Sequence, residues 1–435
     1  MLDRFLRGMF FLSLLFLAFM LGIVASIHQT IFYTKTKEIY EYVDALKQKY
    51  DSGKTPFDNF HWTKQSKYKV GVTVSNSKTY SDGLTFIATN NAQAYLVDMQ
   101  GQIVHSWHHP YSTNNTSEDD DTFLGGAWLF PNGDLLVIYE GLGDISGRVL
   151  IKMDKDSNVL WKYEDTVNHM LNVDTEGHIY VPVNSIAKKN TYGLPNLQPP
   201  FVDDAIAILD ANGKLIKKIS LIGAFAHSPF ANMLDNPTDQ QPLHTNQVAY
   251  IGDIADKFPF TKKGDILLSL RNINAIAILD PKKEVITWAK TGFWYRQHDP
   301  ILLENGHILI FNNLYHAKAT PGKTIETSYN RSEVAEFDPI TLKKYWTYTG
   351  NKESFYSAIR GMVQRLPNGN TMIVESGRGR ILEITPSGNK AWEYYNPLHA
   401  GPQKQYIAHI NFAQRFPRSA LTFLSDTGSK IQTNQ

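Results

Sequence analysis

The stretch from residue 365 to residue 395 reads RLPNGNTMIVESGRGRILEITPSGNKAWEYY and contains the repeating unit of this chain. A Pro-Asn-Gly turn leads into the apolar run TMIVE. A second apolar run, ILEI, reaches a Pro-Ser-Gly turn and a final run that carries Trp392. Short runs of β-branched and aromatic residues between Gly, Asn and Pro are typical of strands joined by tight turns. The stretch therefore predicts three consecutive antiparallel strands of one small sheet.

The same unit recurs along the chain. Its first half, a turn followed by an apolar strand, has copies that begin at Phe130, Val173, Lys262, Leu302 and Arg365. Its second half is a strand, a turn and a strand that often ends in Trp, with copies that begin at Ala94, Leu150, Ile206, Ile276, Val334 and Ile381. Small sheets bury both faces when they stack around an axis. The repeats predict an all-β fold, a six-bladed β-propeller, with a pair of β-sandwiches or a solenoid as the alternative.

The last strand of this pattern, near residues 411–416, follows the sixth unit and lacks a unit of its own. We expect it to close the ring by pairing with the first blade.

Composition excludes several kinds of function. The 435 residues include 43 Lys and Arg against 42 Asp and Glu, so the net charge is +1. A nucleic-acid partner is not expected, because it would need a basic face. The absence of cysteine excludes disulfides, thiolate metal sites and Cys nucleophiles.

Residues 8–27 read GMFFLSLLFLAFMLGIVASI, a run of 20 residues without a charge, and Arg4 and Arg7 precede it. A run of this length can cross a bilayer, and the positive-inside rule keeps the preceding arginines in the cytoplasm. We expect a transmembrane signal-anchor with the rest of the chain in the periplasm or another extracytoplasmic space. A signal peptide cleaved after Val24-Ala25-Ser26 and a buried soluble helix are the alternatives.

Apolar residues recur at helical spacing in residues 34–53, which predicts a short stalk helix above the membrane. The predicted segments are an anchor at 1–33, a stalk helix and linker at 34–67, the propeller at 68–425 and a tail at 426–435.

Three histidines occupy the same position in three consecutive repeats. His169, His244 and His298 each lie just before a first-half strand, Arg360 lies there in the last repeat, and Arg271 follows a strand of the fourth. Inner strands of a propeller face one axial channel, so we expect these side chains to meet there. A histidine copied from an ancestral blade is the competing explanation, although the other blades lack it.

Three imidazoles could bind a metal ion, because His is the commonest metal ligand. An arginine in the same cluster would repel a dication and instead suits a sulfate or phosphate oxyanion. One imidazole can then act as the nucleophile, while the other groups neutralise charge on the non-bridging oxygens. We therefore expect no metal and no cofactor.

The chain resembles the bacterial aryl sulfate sulfotransferases, which are six-bladed propellers. The similarity covers residues 82–418 and is most specific in the run YRQHDPILLENGHILIFNN, which contains Gln297, His298 and Asp299. This chain has Met170 where family members often have an acidic residue, and Asn312-Asn313 where they have an Asp-Asn pair.

The resemblance implies transfer of a sulfuryl group from an aryl sulfate to a phenol, without PAPS and in a ping-pong sequence. His298 then occupies the sulfohistidine position, and His169, His244 and Arg271 occupy the oxyanion-binding positions. A neighbouring His would protonate the departing phenolate and take the proton of the acceptor. Gln297, Arg360 and Asn246 are predicted to bind substrate.

Two other functions stay open at this stage. One is a non-catalytic, membrane-anchored propeller that serves as a binding or assembly scaffold. The other is a metal- or quinone-dependent propeller enzyme. Expected partners are an aryl sulfate, a phenolic acceptor and the membrane, and a homodimer is left open.

Overall fold

The computed structural model describes residues 13, 16–20, 61–65, 67–89, 92–110, 122–141, 147–235, 240–313, 331–351 and 353–427. The chain forms two compact units, Met1–Phe60 and His61–Gln435. In the first unit only Ser13 and Phe16–Met20 are described, and they are helical. The rest of the predicted anchor and the whole predicted stalk helix lie outside the described residues. Within the part of the chain that the structure describes, no helix is long and apolar enough to cross a membrane.

The second unit is almost entirely β-structure. Its first fourteen strands are β1 (Trp62–Lys64), β2 (Gly71–Ser75), β3 (Leu84–Thr89), β4 (Gln93–Val97), β5 (Ile103–His108), β6 (Phe123–Leu129), β7 (Leu135–Glu140), β8 (Gly147–Met153), β9 (Val159–Tyr163), β10 (Asn172–Val173), β11 (Ile179–Ala187), β12 (Phe201–Leu209), β13 (Leu215–Ser220) and β14 (Thr245–Tyr250). The others are β15 (Ile266–Leu270), β16 (Ala275–Asp280), β17 (Val285–Thr291), β18 (His298–Leu302), β19 (Ile308–Asn312), β20 (Glu333–Phe337), β21 (Lys344–Tyr348), β22 (Met362–Arg365), β23 (Thr371–Glu375), β24 (Arg380–Ile384), β25 (Lys390–Tyr395), β26 (His399–Ala400), β27 (Tyr406–Ala408) and β28 (Ile410–Phe416).

A single short α-helix, α1 (Leu221–Ala226), is described in this unit, and the side chain of Ser220 caps its N-terminus by accepting from the Gly223 amide. Short 3-10 helices lie at Ala231–Leu234, Asp253–Lys257, Ser376–Arg378, Arg418–Ala420 and Thr422–Thr427.

Six antiparallel sheets form the blades of a propeller. Blades two to five each use four consecutive strands, β6–β9, β10–β13, β14–β17 and β18–β21. Blade six is β22–β25 with β2 added at its outer edge, and blade one has the order β28-β3-β4-β5. The sheet pairing thus confirms the predicted all-β, six-bladed fold.

The C-terminal strand closes the ring, as the sequence predicts. β28 pairs with β3 in antiparallel register from Ile410 opposite Thr89 to Phe416 opposite Leu84. A further small sheet, β1-β27-β26, attaches residues 61–65 to the chain just before β28. The compact unit therefore begins at His61.

The repeated Asp-containing turns have one physical cause. The Asp98 carboxylate accepts backbone N–H groups from Gln100 and Gln102, both at 2.9 Å. Asp210 accepts from Asn212 and Lys214 in the same way. A short acidic side chain that bonds its own backbone two residues on stabilises a tight turn. These turns set the outer strand pairs of the blades.

The recurrent tryptophans join neighbouring blades. Trp107 of blade one donates to the Gly133 carbonyl in blade two at 3.1 Å. Trp392 of blade six donates to Met99 in blade one at 3.0 Å, and Trp346 of blade five donates to Pro386 in blade six at 3.0 Å. The indoles of Trp107 and Trp392 are buried, that of Trp346 is partly buried, and each satisfies its single N–H on a turn carbonyl. The repeat of Trp in the sequence is thus a repeat of interblade contacts.

Candidate active site

The structure brings the predicted imidazoles together at one end of the axial channel. The ring centroids of His169 and His244 are 4.8 Å apart. His298 is the first residue of β18 and is 9% exposed, and its charge contributes to the lowered pKa of His244. His169, His244 and Arg360 all have positive φ, of 57°, 50° and 54°. Non-glycine residues adopt this left-handed conformation rarely, and all three have it just before an innermost strand.

Four of the six innermost strand pairs have a break in register. Breaks in register lie between Leu124 and Ala127, Thr245 and Gln247, His298 and Ile301, and Ile410 and Phe412. A β-bulge changes the direction of the side chain that it carries. The bulges place Asn246, Asp299 and Asn411 on the wall of the channel.

Hydrogen bonds fix the tautomer of His298. Its Nδ1 lies 2.7 Å from Oδ1 of Asn313 and 3.1 Å from the carbonyl of Arg296. The Asn313 Nδ2 donates to the carbonyls of Ser357 at 3.0 Å and Arg360 at 2.5 Å, so its Oδ1 must face the imidazole. Two acceptors at Nδ1 require a proton there. The lone pair of His298 is therefore on Nε2.

Burial keeps this imidazole neutral. The pKa of His298 is lowered from 6.5 to about 3, mainly by desolvation and also by the nearby Arg271 and His169, while the bond to Asn313 opposes the shift. Charged imidazolium is disfavoured where water is excluded and cations are close. At pH 7 the side chain carries an unprotonated nitrogen suited to nucleophilic attack.

The other two imidazoles are also neutral. Burial, followed by the charges of Arg360 and Arg271, lowers the pKa of His169 to about 3. Burial, followed by His169 and Arg271, lowers the pKa of His244 well below its usual range. His244 Nδ1 lies 2.7 Å from Oε1 of Gln241, whose side chain also bonds to the carboxyl of Asp204.

Two guanidinium groups supply positive charge. Arg271 follows β15, donates from Nη1 to Asn272 at 2.9 Å, and its backbone N–H donates to the His244 carbonyl at 3.1 Å. Arg360 donates from Nη1 to Asn411 at 2.7 Å, and its guanidinium lies 4.5 Å from the centre of the Phe123 ring. Two cations beside three neutral imidazoles favour an anion over a metal dication.

Asn246 and Gln297 occupy different environments. Asn246 borders the channel, and its Nδ2 donates to the Gln297 carbonyl at 2.8 Å. The side chain of Gln297 is fully buried and donates to Ser269, Leu270 and Ala275 of blade four. These bonds join blade five to blade four just before His298. The substrate contact predicted for Gln297 stays a prediction, but its amide nitrogen bonds the blade rather than lining the cavity.

Sequence reasoning missed Glu140. This buried residue ends β7, and its Oε1 accepts the backbone N–H of His169 at 2.7 Å. A Cβ added to Gly125 would lie 2.1 Å from that oxygen, and one added to Gly126 would lie 2.3 Å from the His169 carbonyl. The Gly-Gly pair in β6 is therefore needed for the close approach. The sequence signal that could have identified Glu140 is a single carboxylate at the end of the apolar run LLVIY.

Two cavities follow one another along the axis. A small chamber of about 30 Å³ is bordered by Gly125, Gly126, Glu140, His169, Met170, Asn246, His298, Asp299, Arg360, Gly361, Met362 and Asn411. A space of this size holds at least one water molecule. A wide chamber of about 720 Å³ lies toward the tight turns after β18 and β22. Met170, Asp299 and Met362 border both chambers and so separate them.

A family model described as Arylsulfotransferase (ASST) matches residues 126–397. The chain belongs to the arylsulfotransferase family. The matched region runs from blade two to the end of blade six and contains His169, His244, Arg271, His298 and Arg360. Membership in the arylsulfotransferase family indicates a sulfotransferase enzyme.

Several solved structures are similar to this chain at low sequence identity. A protein of unknown function from Bacteroides caccae is 12% identical with a TM-score of 0.47, covering 72% of this chain and 93% of that one. The WD40 β-propeller domain of Doa1 is 10% identical with a TM-score of 0.40, covering 82% and 97%. Virginiamycin B lyase from Staphylococcus aureus is 11% identical with a TM-score of 0.36, covering 68% and 84%. No curated protein sequence matches the chain. The fold assignment of this arylsulfotransferase family member therefore rests on its strand pairing.

Proposed function

We propose that this protein transfers a sulfuryl group from an aryl sulfate to a phenolic acceptor through a covalent sulfohistidine at His298, without PAPS. The observation that carries the proposal is the fixed tautomer of His298. Asn313 and the Arg296 carbonyl hold the proton at Nδ1, so Nε2 has the lone pair that a nucleophile needs.

In the first half-reaction, Nε2 forms a bond to sulfur, and the bond from sulfur to the aryl oxygen breaks. The electron pair of that bond goes to the departing phenolate. Phenols have a pKa near 10, so phenolate leaves far more readily than an alkoxide. In the second half-reaction, the acceptor oxygen bonds to sulfur, the bond to Nε2 breaks, and its electron pair returns to the imidazole.

The guanidinium groups of Arg271 and Arg360 support this chemistry because they lie beside the imidazoles. Negative charge spreads over the three non-bridging oxygens during transfer. Prepositioned cations in a site without bulk water stabilise such charge with little reorganisation. The neutral imidazole of His169 can donate a hydrogen bond to the same oxygens, whereas the N–H of His244 is held by Oε1 of Gln241.

Incubation with 4-nitrophenyl sulfate and a phenol tests the proposal. The wild type should release nitrophenol, and its intact mass should increase by one sulfuryl group when the acceptor is omitted. His298→Ala should lose both signals. His307→Ala is the matched control, because His307 is a partly buried imidazole of the same blade that bonds Glu336 outside the site. Release of nitrophenol by His298→Ala at the wild-type rate would exclude this nucleophile, and no release by the wild type would favour a scaffold.

We further propose that residues 8–27 anchor the protein in a membrane, with the propeller on the extracytoplasmic side. The uncharged run of 20 residues and the preceding Arg4 and Arg7 support this topology. Protease added outside spheroplasts should digest the propeller while the N-terminus stays protected. Light scattering of the detergent-solubilised protein tests whether it forms a homodimer, which the sequence leaves open.

A further inference from the structure

Sulfuryl transfer requires a group that stores one proton. The departing phenolate gains a proton before the acceptor phenol loses one. A side chain must therefore give up one proton when the sulfohistidine forms and take one back when it breaks down. His169 and His244 were the sequence-based choice. Their imidazoles are neutral at pH 7, because burial and neighbouring cations lower the pKa of each. A neutral imidazole gives up its remaining N–H proton far less readily than a phenol does, so another group must supply the proton.

Asp299 lies where such a group is needed. It follows His298 at the bulge of β18 and borders the small chamber with it. Its Oδ1 accepts from Nε2 of Gln247 at 3.0 Å, and its Oδ2 accepts from the backbone N–H of Val363 at 2.7 Å. Each carboxyl oxygen can bind one further hydrogen. A proton can therefore reside on Asp299 without breaking either contact.

The surroundings of Asp299 do not compensate a buried negative charge. Its side chain is 6% exposed and makes no ion pair with any residue that the structure describes. Glu375 and Glu383 are buried too, but each pairs with an arginine, Arg380 or Arg415. An unpaired carboxylate removed from water takes up a proton instead. Burial accordingly raises the pKa of Asp299 from 3.8 to about 7, which the two hydrogen bonds only partly oppose.

The same carboxyl has access to both chambers. His298 and Asp299 both border the small chamber, which has space for water beside the carboxyl group. The wide chamber brings solvent to the other side. The charged and titratable groups that border the two chambers with Asp299 are His169, His298, Glu140, Arg360, Glu304 and Arg365.

We propose that Asp299 is the proton-transfer residue of this site, and the inference rests on the proposed function. In the first half-reaction the carboxylic acid of Asp299 gives its proton, through the water of the small chamber, to the departing phenolate. The products are the phenol, sulfohistidine at His298 and ionised Asp299. In the second half-reaction the acceptor phenol loses its proton to Asp299 as its oxygen bonds to sulfur. Atoms and charge balance over the cycle without another reactant.

Asp299→Asn tests the inference with two donors. The amide keeps an acceptor for Val363 and the size of the side chain, but it cannot transfer a proton. Phenyl sulfate has a basic leaving group that needs protonation, so its kcat/KM, which reports only the first half-reaction, should fall about tenfold or more. 4-Nitrophenyl sulfate has a far more acidic leaving phenol, and its kcat/KM should be nearly unchanged. A merely structural role would lower both rates by the same factor and would overturn the inference.

The pH profile gives a second readout. For the wild type, kcat/KM for phenyl sulfate should fall as pH rises through about 7, because the acid form of Asp299 is lost. Asp299→Asn should lack this limb. Asp265→Asn is the matched control, since Asp265 is a buried carboxyl of blade four whose pKa is also raised by burial but which borders neither chamber. It should keep the wild-type profile.

Infrared difference spectroscopy separates this inference from the proposed function. Between pH 6 and pH 8 the wild type should lose the carbonyl band of a protonated carboxylic acid, and Asp299→Asn should lack that band. Active wild type without this band would overturn the role of Asp299 alone. A wild type that transfers no sulfuryl group would overturn the proposed function and this inference with it.

Discussion

The Oδ1 atom of Asn313 lies 2.7 Å from Nδ1 of His298, and the Nδ2 atom of the same amide donates to the carbonyls of Ser357 and Arg360. The amide thus connects the imidazole of blade five to the backbone that leads into blade six. Its orientation is decided by two acceptors that cannot themselves donate. Which nitrogen of His298 carries the lone pair is therefore set by backbone geometry one blade away.

Asn313→Ala should slow the release of nitrophenol in a single turnover about 10- to 100-fold, because partners that orient a reactive imidazole have effects of this size. The pKa of His298 should fall further, since the bond to Asn313 normally raises it. Asn312→Ala is the control, because that neighbouring buried amide accepts from the Tyr295 backbone instead. An Asn313→Ala enzyme with the wild-type single-turnover rate would contradict the assignment.

Gln241→Leu should lower kcat/KM about 10- to 100-fold, since His244 loses the acceptor of its Nδ1. The pKa of Asp204, raised by burial to about 6, should rise further because the Gln241 bond lowers it. Donor kinetics and the titration of Asp204 check both effects. Gln240→Leu changes an exposed residue of the same loop and should behave as wild type. Equal kinetics of the two variants would exclude a role for Gln241.

Arg360→Met should raise the pKa of His169, because the guanidinium charge is the second cause of its low value after burial. The KM for the donor should increase about tenfold or more, since a charge-assisted contact to the sulfate is lost. NMR titration of the histidines and donor kinetics measure these effects. Arg365→Met, at the far end of β22, removes the same charge away from the imidazoles and should change neither value. An unchanged His169 pKa in Arg360→Met would refute the electrostatic argument.

The stability of the propeller should depend on the pH through His298. Its pKa is about 3 when folded and about 6.5 when unfolded, so the unfolded chain binds a proton between these values that the folded chain does not. The free energy of unfolding therefore falls as the pH drops from about 6.5 toward 3. His298→Gln removes this contribution and should gain stability relative to wild type on acidification, by a few kcal/mol at most. Urea unfolding at pH 7, 5.5 and about 4 measures the difference, and a constant difference across this range would contradict the burial of a neutral imidazole.

Arg415→Met should destabilise the closed ring. Arg415 of β28 bonds Thr85 and Ser81 in blade one and pairs with Glu383 of blade six, with both side chains buried. Removing the arginine leaves a buried carboxylate without its cation, which costs about 3–5 kcal/mol. The double variant Arg415→Met/Glu383→Gln should recover part of this loss in urea unfolding. Strictly additive effects would show that the pair is not coupled.

The repeating strands could be predicted because their signals are local. An Asp or Asn that bonds the backbone two residues on, with a strand on each side, is visible in any window of about ten residues. Even the closing strand could be placed, because the run before Phe416 had no unit of its own. The hydrogen-bond partners of the tryptophans could not be predicted, because Trp392 donates to the carbonyl of Met99, which is far away in the sequence.

The candidate site was predictable in part. His169, His244 and His298 share a position in the repeat, and the repeat implies that they meet. Asn312 was the departure from the family's Asp-Asn pair, and no role was predicted for the neighbouring Asn313, which bonds the imidazole of His298. The sequence predicted that Gln297 contacts substrate, whereas in the structure its amide nitrogen donates to the Ala275 carbonyl of blade four. Side-chain direction at a bulge depends on the partner strand, which lies outside the local sequence.

By itself, the sequence determined a repetitive all-β chain with imidazoles and guanidinium groups at equivalent positions of its units. Only the tertiary structure decided which nitrogen of His298 keeps its proton, and that Asp299 is buried without an ion pair to any described residue. The reason is physical. Turn and strand preferences act between neighbours in the chain, whereas hydrogen-bond partners, desolvation and charge proximity arise only where distant segments meet around the axis.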